Sequence, residues 1–283
     1  MTLLADSNAY ENPLRDLPQH QAALTLLQSS LENPNLAECH WLDLACGKGQ
    51  IICHLEENIR DIQLRSKINY YAYDGNSEYI RDAERIARRL GLRATSTTAE
   101  IAHFPKIIDR DQKFNFISFT NTVHELRPHV ISDVLFECVV RLAHDGEMYI
   151  YDMEELGSGA ELGAIAWDAA DMTEIIKAFL SGLDVVNYPL TCQRWHHKSC
   201  AGWSLFIQRK YLNISEQQML VAKDQAVAQT ATRMSEVLTR KLNLCRDALE
   251  SLTICGATTE EEERNRVRLL YEYWALSRAQ DTT

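Results

Sequence analysis

Apolar residues in the first two hundred positions fall in short runs separated by longer amphipathic stretches. Residues 41–44, 70–73, 94–98, 114–119 and 147–151 are runs rich in β-branched and aromatic side chains, or in small and β-branched ones, and each predicts a strand. Residues 50–59, 77–90 and 129–143 lie between such runs and predict helices. A further helix is expected over 19–31, ended by the breaker cluster Asn33-Pro34-Asn35. Strands alternating with helices of this length argue for βαβ units, hence for a parallel sheet covered on both faces. Two more runs, 184–188 and 203–208, are separated by a short connection. That permits an antiparallel pair but no crossover.

The last segment differs in kind. From 215 to 252 apolar residues recur at 220, 227, 231, 234, 238, 242, 245, 249 and 252, the stripe of an amphipathic helix or a short coiled-coil seam. Gly256 interrupts it. Thr259 followed by Glu262 predicts a capping box that opens a second helix, with Val267, Leu270, Tyr273 and Trp274 on one face. The chain therefore divides into an N-terminal helical lid segment (1–35), an α/β domain (36–210) and a C-terminal helical hairpin (211–283). The hairpin is expected to pack on the α/β core; a homodimer or partner surface is the alternative.

Composition narrows the function classes. No stretch approaches the 18 or so uninterrupted apolar residues of a membrane span, and the first residues lack the basic start and apolar run of a signal peptide. Eight cysteines are dispersed along the chain, the pattern of reduced thiols rather than of a disulfide framework. A cytoplasmic protein without membrane association is the expectation. Against 29 Lys and Arg stand 40 Asp and Glu, a net charge of -11, so no global basic footprint for nucleic acid exists. A local one is Arg81, Arg85, Arg88, Arg89 and Arg93, which a solvated helix face also explains. Residues 142–176 hold nine carboxylates and no Lys or Arg.

The chemistry concentrates at strand ends. Trp41-Leu42-Asp43-Leu44-Ala45-Cys46-Gly47-Lys48-Gly49-Gln50 runs from an apolar strand through an acid into a turn of small residues and then a helix. Gly47 and Gly49 let the backbone approach a ligand where a Cβ would collide. This places a nucleotide-like ligand at the carboxyl end of the first strand, the usual crevice of an open parallel sheet. The third glycine of a dinucleotide fingerprint and the Gly-Lys-Ser/Thr of a phosphate loop are both missing. The second strand ends at Asp74-Gly75-Asn76, Glu100-Ile101 follows the third, Thr120-Asn121-Thr122-Val123-His124-Glu125 follows the fourth, and the fifth ends at Asp152.

With these residues in order, the chain resembles the class I S-adenosylmethionine-dependent methyltransferases over roughly 36–210. Residues 43–49 look like that family's first motif, with Ala45 where glycine is commonest. Asp145-Gly146-Glu147 looks like its Pro-Gly-Gly turn, with the proline and one glycine replaced. The resemblance implies an α/β fold: a doubly wound, Rossmann-like, seven-stranded, mostly parallel sheet with helices on both faces. It implies S-adenosylmethionine as cofactor and S-adenosylhomocysteine as product. Asp43, Ala45, Gly47 and Gly49 would form the cofactor turn, the two glycines lying against its methionine and ribose portion. Asp74, with Gly75 and Asn76, would hold the ribose hydroxyls; Glu100 and the Ile101 amide would address the adenine; Thr120 and Asn121 would face the sulfonium.

Methyl transfer is an in-line displacement in which positioning supplies much of the catalysis, and a nitrogen or oxygen acceptor can also need a base. His124 and Glu125 are the catalytic candidates, capping or backbone bonding being the competing role. Asp152, Glu154 and Glu155 are candidates for substrate binding, since carboxylates there would repel phosphates and favour an amine. The fourth motif lacks the Asp/Asn-Pro-Pro-aromatic run that the resemblance would require of a DNA amino-methyltransferase. Cys192, His196, His197 and Cys200 are ligand types, but their spacing matches no common zinc pair and they are expected in a strand connection, so no metal is expected. The expected substrate is a neutral or cationic small molecule or protein side chain. The alternatives are RNA, or a cofactor-binding regulatory protein whose hairpin engages a partner. Tyr10 and Arg15 are candidates for the lid.

Overall fold

Strand β4 (Phe114–Thr120) shows how the sheet is specified: four consecutive residues of its Phe-Asn-Phe-Ile-Ser-Phe-Thr sequence are buried, as expected of a central strand covered on both faces. The structure is a computed structural model that describes residues 18–154, 163–197, 200–255 and 259–280. Tyr10, Arg15, Glu155 and Gly256 lie outside the described residues.

In chain order the elements are α1 (Pro18–Leu31), β1 (Cys39–Leu44), α2 (Leu55–Asn58), α3 (Ile62–Ser66), β2 (Ile68–Asp74), α4 (Ser77–Arg89), β3 (Arg93–Thr98), α5 (Phe104–Ile107), β4, α6 (Pro128–Val140) and β5 (Leu142–Met153). Then come α7 (Ala169–Gly182), β6 (Cys192–His197), β7 (Cys200–Gln208), α8 (Glu216–Val221), α9 (Lys223–Cys255) and α10 (Glu260–Gln280). The seven strands form one sheet in the order β3-β2-β1-β4-β5-β7-β6. β1 to β5 are parallel, β7 runs antiparallel to β5, and β6 antiparallel to β7. The chain leaves β1 toward β2 on one side and returns to β4 on the other, so the direction reverses between β1 and β4. Ligands of such sheets bind outside the carboxyl ends of the strands at that point.

Two apolar clusters cover the faces. One packs Trp41, Tyr70, Phe116 and Tyr149 under Ala23, Leu24 and Leu27 of α1 and Ile80, Ala83 and Ile86 of α4. The other joins Leu42, Ile117, Phe119 and Ile150 to α6 and α7, and continues into Ala226, Met234, Val237 and Leu238 of α9 and Leu276 and Ala279 of α10. No described helix is long and apolar enough to cross a membrane.

Several expectations need correction. The run 184–188 is not a strand, because Asp184 and Asn187 adopt left-handed φ of 58° and 64°, which a pleated strand excludes. The final antiparallel strand is β6, which carries Cys192 and His196 in its ladder rather than in a connection. Residues 50–59 form no continuous helix but a 3-10 turn over Ile52–His54 and the single turn α2. Helix α7 lies in the stretch read only as acidic. Asp168 and Asp171 are its reciprocal capping box, each side chain accepting the other's backbone N–H at 3.3 and 2.8 Å, which removes two of those carboxylates from solvent roles. The box at Thr259 and Glu262 opens α10 as expected.

Candidate functional site

The carboxyl ends of β1, β2 and β4 open into a cleft of about 730 Å³. It gathers Asp43, Ala45, Gly47, Asp74, Gly75, Asn76, Glu100, Ile101, Thr120, Asn121 and Glu125, all singled out from the sequence. Gln19, His20, Cys46, Gln50, Ile51, Tyr79, Thr122 and Leu126 complete the lining. Among the described residues, the charged side chains of this lining are four carboxylates, with no Lys or Arg. Lys48 sits beside it, its Nζ 5.4 Å from the Tyr79 ring centre.

The turn after β1 has an unusual backbone. Ala45, Gly47 and Gly49 all take positive φ, at 57°, 54° and 82°. Glycine adopts such angles freely, whereas alanine is disfavoured there. A Cβ on Gly47 would lie 2.6 Å from Gln50 Oε1, and one on Gly49 would lie 3.2 Å from the Ala83 Cα. Gly49 thus serves the packing of the turn on α4 and does not line the cleft. The Gly47 N–H donates to Asp74 Oδ2 at 2.9 Å and the Asn76 N–H to Asp74 Oδ1 at 2.8 Å. Each carboxylate oxygen keeps accepting capacity after one such bond, so Asp74 can still accept from hydroxyls of a ligand while it holds the turn in place. A Cβ at Gly75 would be 3.6 Å from Glu100 Oε1, which puts that carboxylate beside the Asp74 turn.

Asp43 is buried beneath this turn. Tyr70 donates to its Oδ2 at 2.8 Å, Ser118 to its Oδ1 at 2.6 Å, and Trp41 Nε1 donates to Ser118 at 2.8 Å. Burial raises the Asp43 pKa to about 6; the two hydroxyl donors work against this and the Asp74 charge adds to it. His20, also nearly buried, stands with its ring centre 5.2 Å from that of His54. Burial and the neighbouring His54 push the His20 imidazole down to about 3, so it is neutral near pH 7.

The two catalytic candidates part company. Glu125 is exposed and lines the cleft, whereas His124 is buried behind it. His124 Nδ1 lies 2.7 Å from Asp152 Oδ1, and the His124 backbone N–H donates to Asp152 Oδ2 at 2.8 Å. His124 Nε2 is 3.6 Å from Glu125 Oε1. Asp152 also accepts from the Met153 N–H at 2.7 Å.

The substrate-binding candidates Asp152 and Glu154 do not reach the cleft. Glu154 takes a bidentate pair from Arg194 at 2.8 and 2.7 Å and accepts the Ala169 N–H at 3.2 Å. The acidity of 142–176 is therefore largely compensated where it is described. Four of the five arginines read as a local basic patch are paired as well: Arg81 with Glu78, Arg85 with Asp82, Arg88 with Glu84, and Arg93 with Glu38. Sequence reasoning missed Gln19, His20, Gln50 and Tyr79, which come from α1, the turn after Gly49 and the first turn of α4. Ser118 and Tyr70 were missed too, and only their register opposite β1 identifies them.

A family model described as "Methyltransferase domain" matches residues 35–180. No curated protein matches the chain. Among solved structures, the CurJ carbon methyltransferase is 13% identical with a TM-score of 0.50, over 68% of this chain and 54% of that one. The 1,6-didemethyltoxoflavin-N1-methyltransferase of Burkholderia thailandensis is 15% identical with a TM-score of 0.49, over 72% of this chain and 84% of that one. TehB from Haemophilus influenzae is 12% identical with a TM-score of 0.48, over 72% and 67%. At such identities the likeness is one of fold.

Proposed function

The chain belongs to the methyltransferase-domain family, and we propose that it carries a methyl group from S-adenosylmethionine to a neutral or cationic acceptor, an amine of a small molecule or of a protein side chain. The observation that carries this reading is the cleft at the β1, β2 and β4 ends, whose charged lining is Asp43, Asp74, Glu100 and Glu125. Such a lining attracts a sulfonium and an amine and repels phosphates. When bound, the cofactor supplies a sulfonium methyl carbon for in-line displacement and departs as neutral S-adenosylhomocysteine.

The residues around it divide the work. Gly47 and Gly49 shape a turn that a Cβ would fill, Asp74 takes the ribose hydroxyls, and Glu100 with the Ile101 amide takes the adenine. Thr120 and Asn121 stand at the β4 end, beside the reacting region. Asn121 holds there in a left-handed conformation, φ 54°, its N–H donating to the Tyr151 carbonyl at 2.9 Å. Glu125 is the group placed to receive the proton of a nitrogen acceptor. His124, fixed by Asp152, stands behind Glu125 as a positioning residue.

The test uses methyl-labelled S-adenosylmethionine with a cell extract split into small-molecule, protein and RNA fractions. Asp74→Ala is a better control than Asp43→Ala, because Asp43 is buried in the network that joins β1, β2 and β4. Label is expected in the small-molecule or protein fraction and absent with the variant. Label in RNA would overturn the acceptor class. Cofactor binding with no labelled fraction would favour a regulatory role.

A further inference from the structure

Helix α10 has two apolar faces: among the described residues one is buried and the other is largely exposed, its Tyr271 hydroxyl accepting the Gly163 N–H at 2.9 Å. Ala275, Leu276 and Ala279 are buried against the core. Val267, Leu270, Tyr271 and Trp274, spaced i, i+3, i+4 and i+7, are 57%, 47%, 37% and 39% exposed, a stripe at the spacing by which one helix face meets another. Three of these four were expected to be the face that packs on the domain. That packing is made instead by Ala275, Leu276 and Ala279, with Leu269 and Tyr273 partly buried against the same cluster.

The ends of the stripe carry opposite charges. Glu263 lies one turn before Val267 on the same line, and Arg278 one turn after Trp274, its guanidinium 5.5 Å from the Trp274 ring centre. Read outward from the point between Leu270 and Tyr271, the face is self-complementary: Leu270 mirrors Tyr271, Val267 mirrors Trp274, and Glu263 mirrors Arg278. We propose that this face binds the same face of a second copy of the chain, with the two α10 helices antiparallel across a two-fold axis between Leu270 and Tyr271. A two-fold interface requires this kind of self-complementarity, residue i of one copy meeting residue j of the other and the reverse. A parallel pairing would set Glu263 against Glu263 and Arg278 against Arg278, which repel. In cis, Glu263 also pairs with Arg266 at 2.9 and 2.6 Å; that bond holds the carboxylate on the face and leaves further accepting capacity.

From Glu263 to Arg278 the face spans roughly 22 Å at 1.5 Å per residue. A single helix pair of that length falls at the low end of stable interfaces, which bury about 800 Å² per partner, so the dimer should depend on concentration. Sedimentation equilibrium of the full chain over a wide concentration range reads it directly. A monomer–dimer equilibrium is expected, and Leu270→Glu should abolish it while the circular dichroism, and the unfolding midpoint at concentrations where the wild type is monomeric, stay unchanged, because Leu270 is exposed. Glu263→Arg alone and Arg278→Glu alone should each raise the dimer Kd roughly tenfold, since the two-fold axis repeats every pair. The double variant should return Kd to the wild-type range. A wild type that stays monomeric would overturn the proposal, as would a dimer that survives Leu270→Glu, or a double variant no tighter than the single ones. A face meant for a different protein would give the first of these results.

Discussion

Asp43 sits where the chemistry of the cleft and the stability of the sheet meet. Its two oxygens take hydroxyls from β2 and β4, so one carboxylate ties three strands at the point where the cleft opens. Burial raises its pKa from 3.8 to about 6. The folded state therefore binds a proton more tightly than the unfolded chain does. The stability from this group is fully present below the ordinary value and is lost as pH rises through about 6. Asp43→Asn removes the titration. The wild type should lose stability relative to this variant by about 3 kcal/mol as pH rises across that window, measured by urea unfolding of both proteins at each pH. A difference that does not change with pH would show that Asp43 has an ordinary pKa. That an acid stands at this strand end is legible in the sequence. Its struts are not, because Tyr70 and Ser118 carry no motif and become its partners through strand register alone. His124 and Glu125 repeat the lesson: neighbours in sequence, with side chains 3.6 Å apart, they are set by a 3-10 turn so that Glu125 lines the cleft and His124 is buried behind it.

Helix α7 and the segment after it show why some elements were legible and others were not. Met172, Ile175, Ile176, Phe179 and Leu180 have helical spacing and are all buried in α7, so the signal is present but is masked by the acidic character of its surroundings. The run 184–188 carries strand-like residues, yet the left-handed Asp184 and Asn187 turn the chain instead. Gly182 ends α7 where α9 crosses it. A Cβ there would lie 2.4 Å from the Ala226 Cα and 3.0 Å from its nitrogen. Backbone cannot move aside as a flexible side chain can, so Gly182→Ala should destabilise the protein by about 1–3 kcal/mol, read as a lower unfolding midpoint. An unchanged midpoint would mean that the helices separate at little cost.

On the scale of the whole molecule, α9 and α10 contribute to the same apolar cluster as the sheet. Charged groups reinforce the junction: Lys223 of α9 reaches the buried Glu137 of α6 at 2.7 Å, and Arg240 and Lys241 reach Asp171 of α7 at 3.0 and 2.9 Å. Removing residues 211–283 would expose to water the apolar side chains of α6 and α7 that pack against α9, a loss of burial that costs several kcal/mol. A chain ending at residue 210 should therefore show no cooperative unfolding transition and no cofactor binding. A truncated chain that unfolds cooperatively and binds S-adenosylmethionine would show that the hairpin is an independent addition.

Six of the seven strands, the acidic and glycine-bearing turns at the ends of the parallel ones, and the long C-terminal helices are legible in the amino-acid order. Each is a local matter of alternation, helical period, or a turn whose backbone demands small residues. The burial of one face of α10, the burial of His124 and Asp152, the pairing of Glu154 with Arg194, and the entry of Gln19 and His20 into the cleft are set by contacts between distant segments. A side chain's exposure depends on which surface arrives opposite it, and a charge acts on a ligand only where no neighbour has already taken it up.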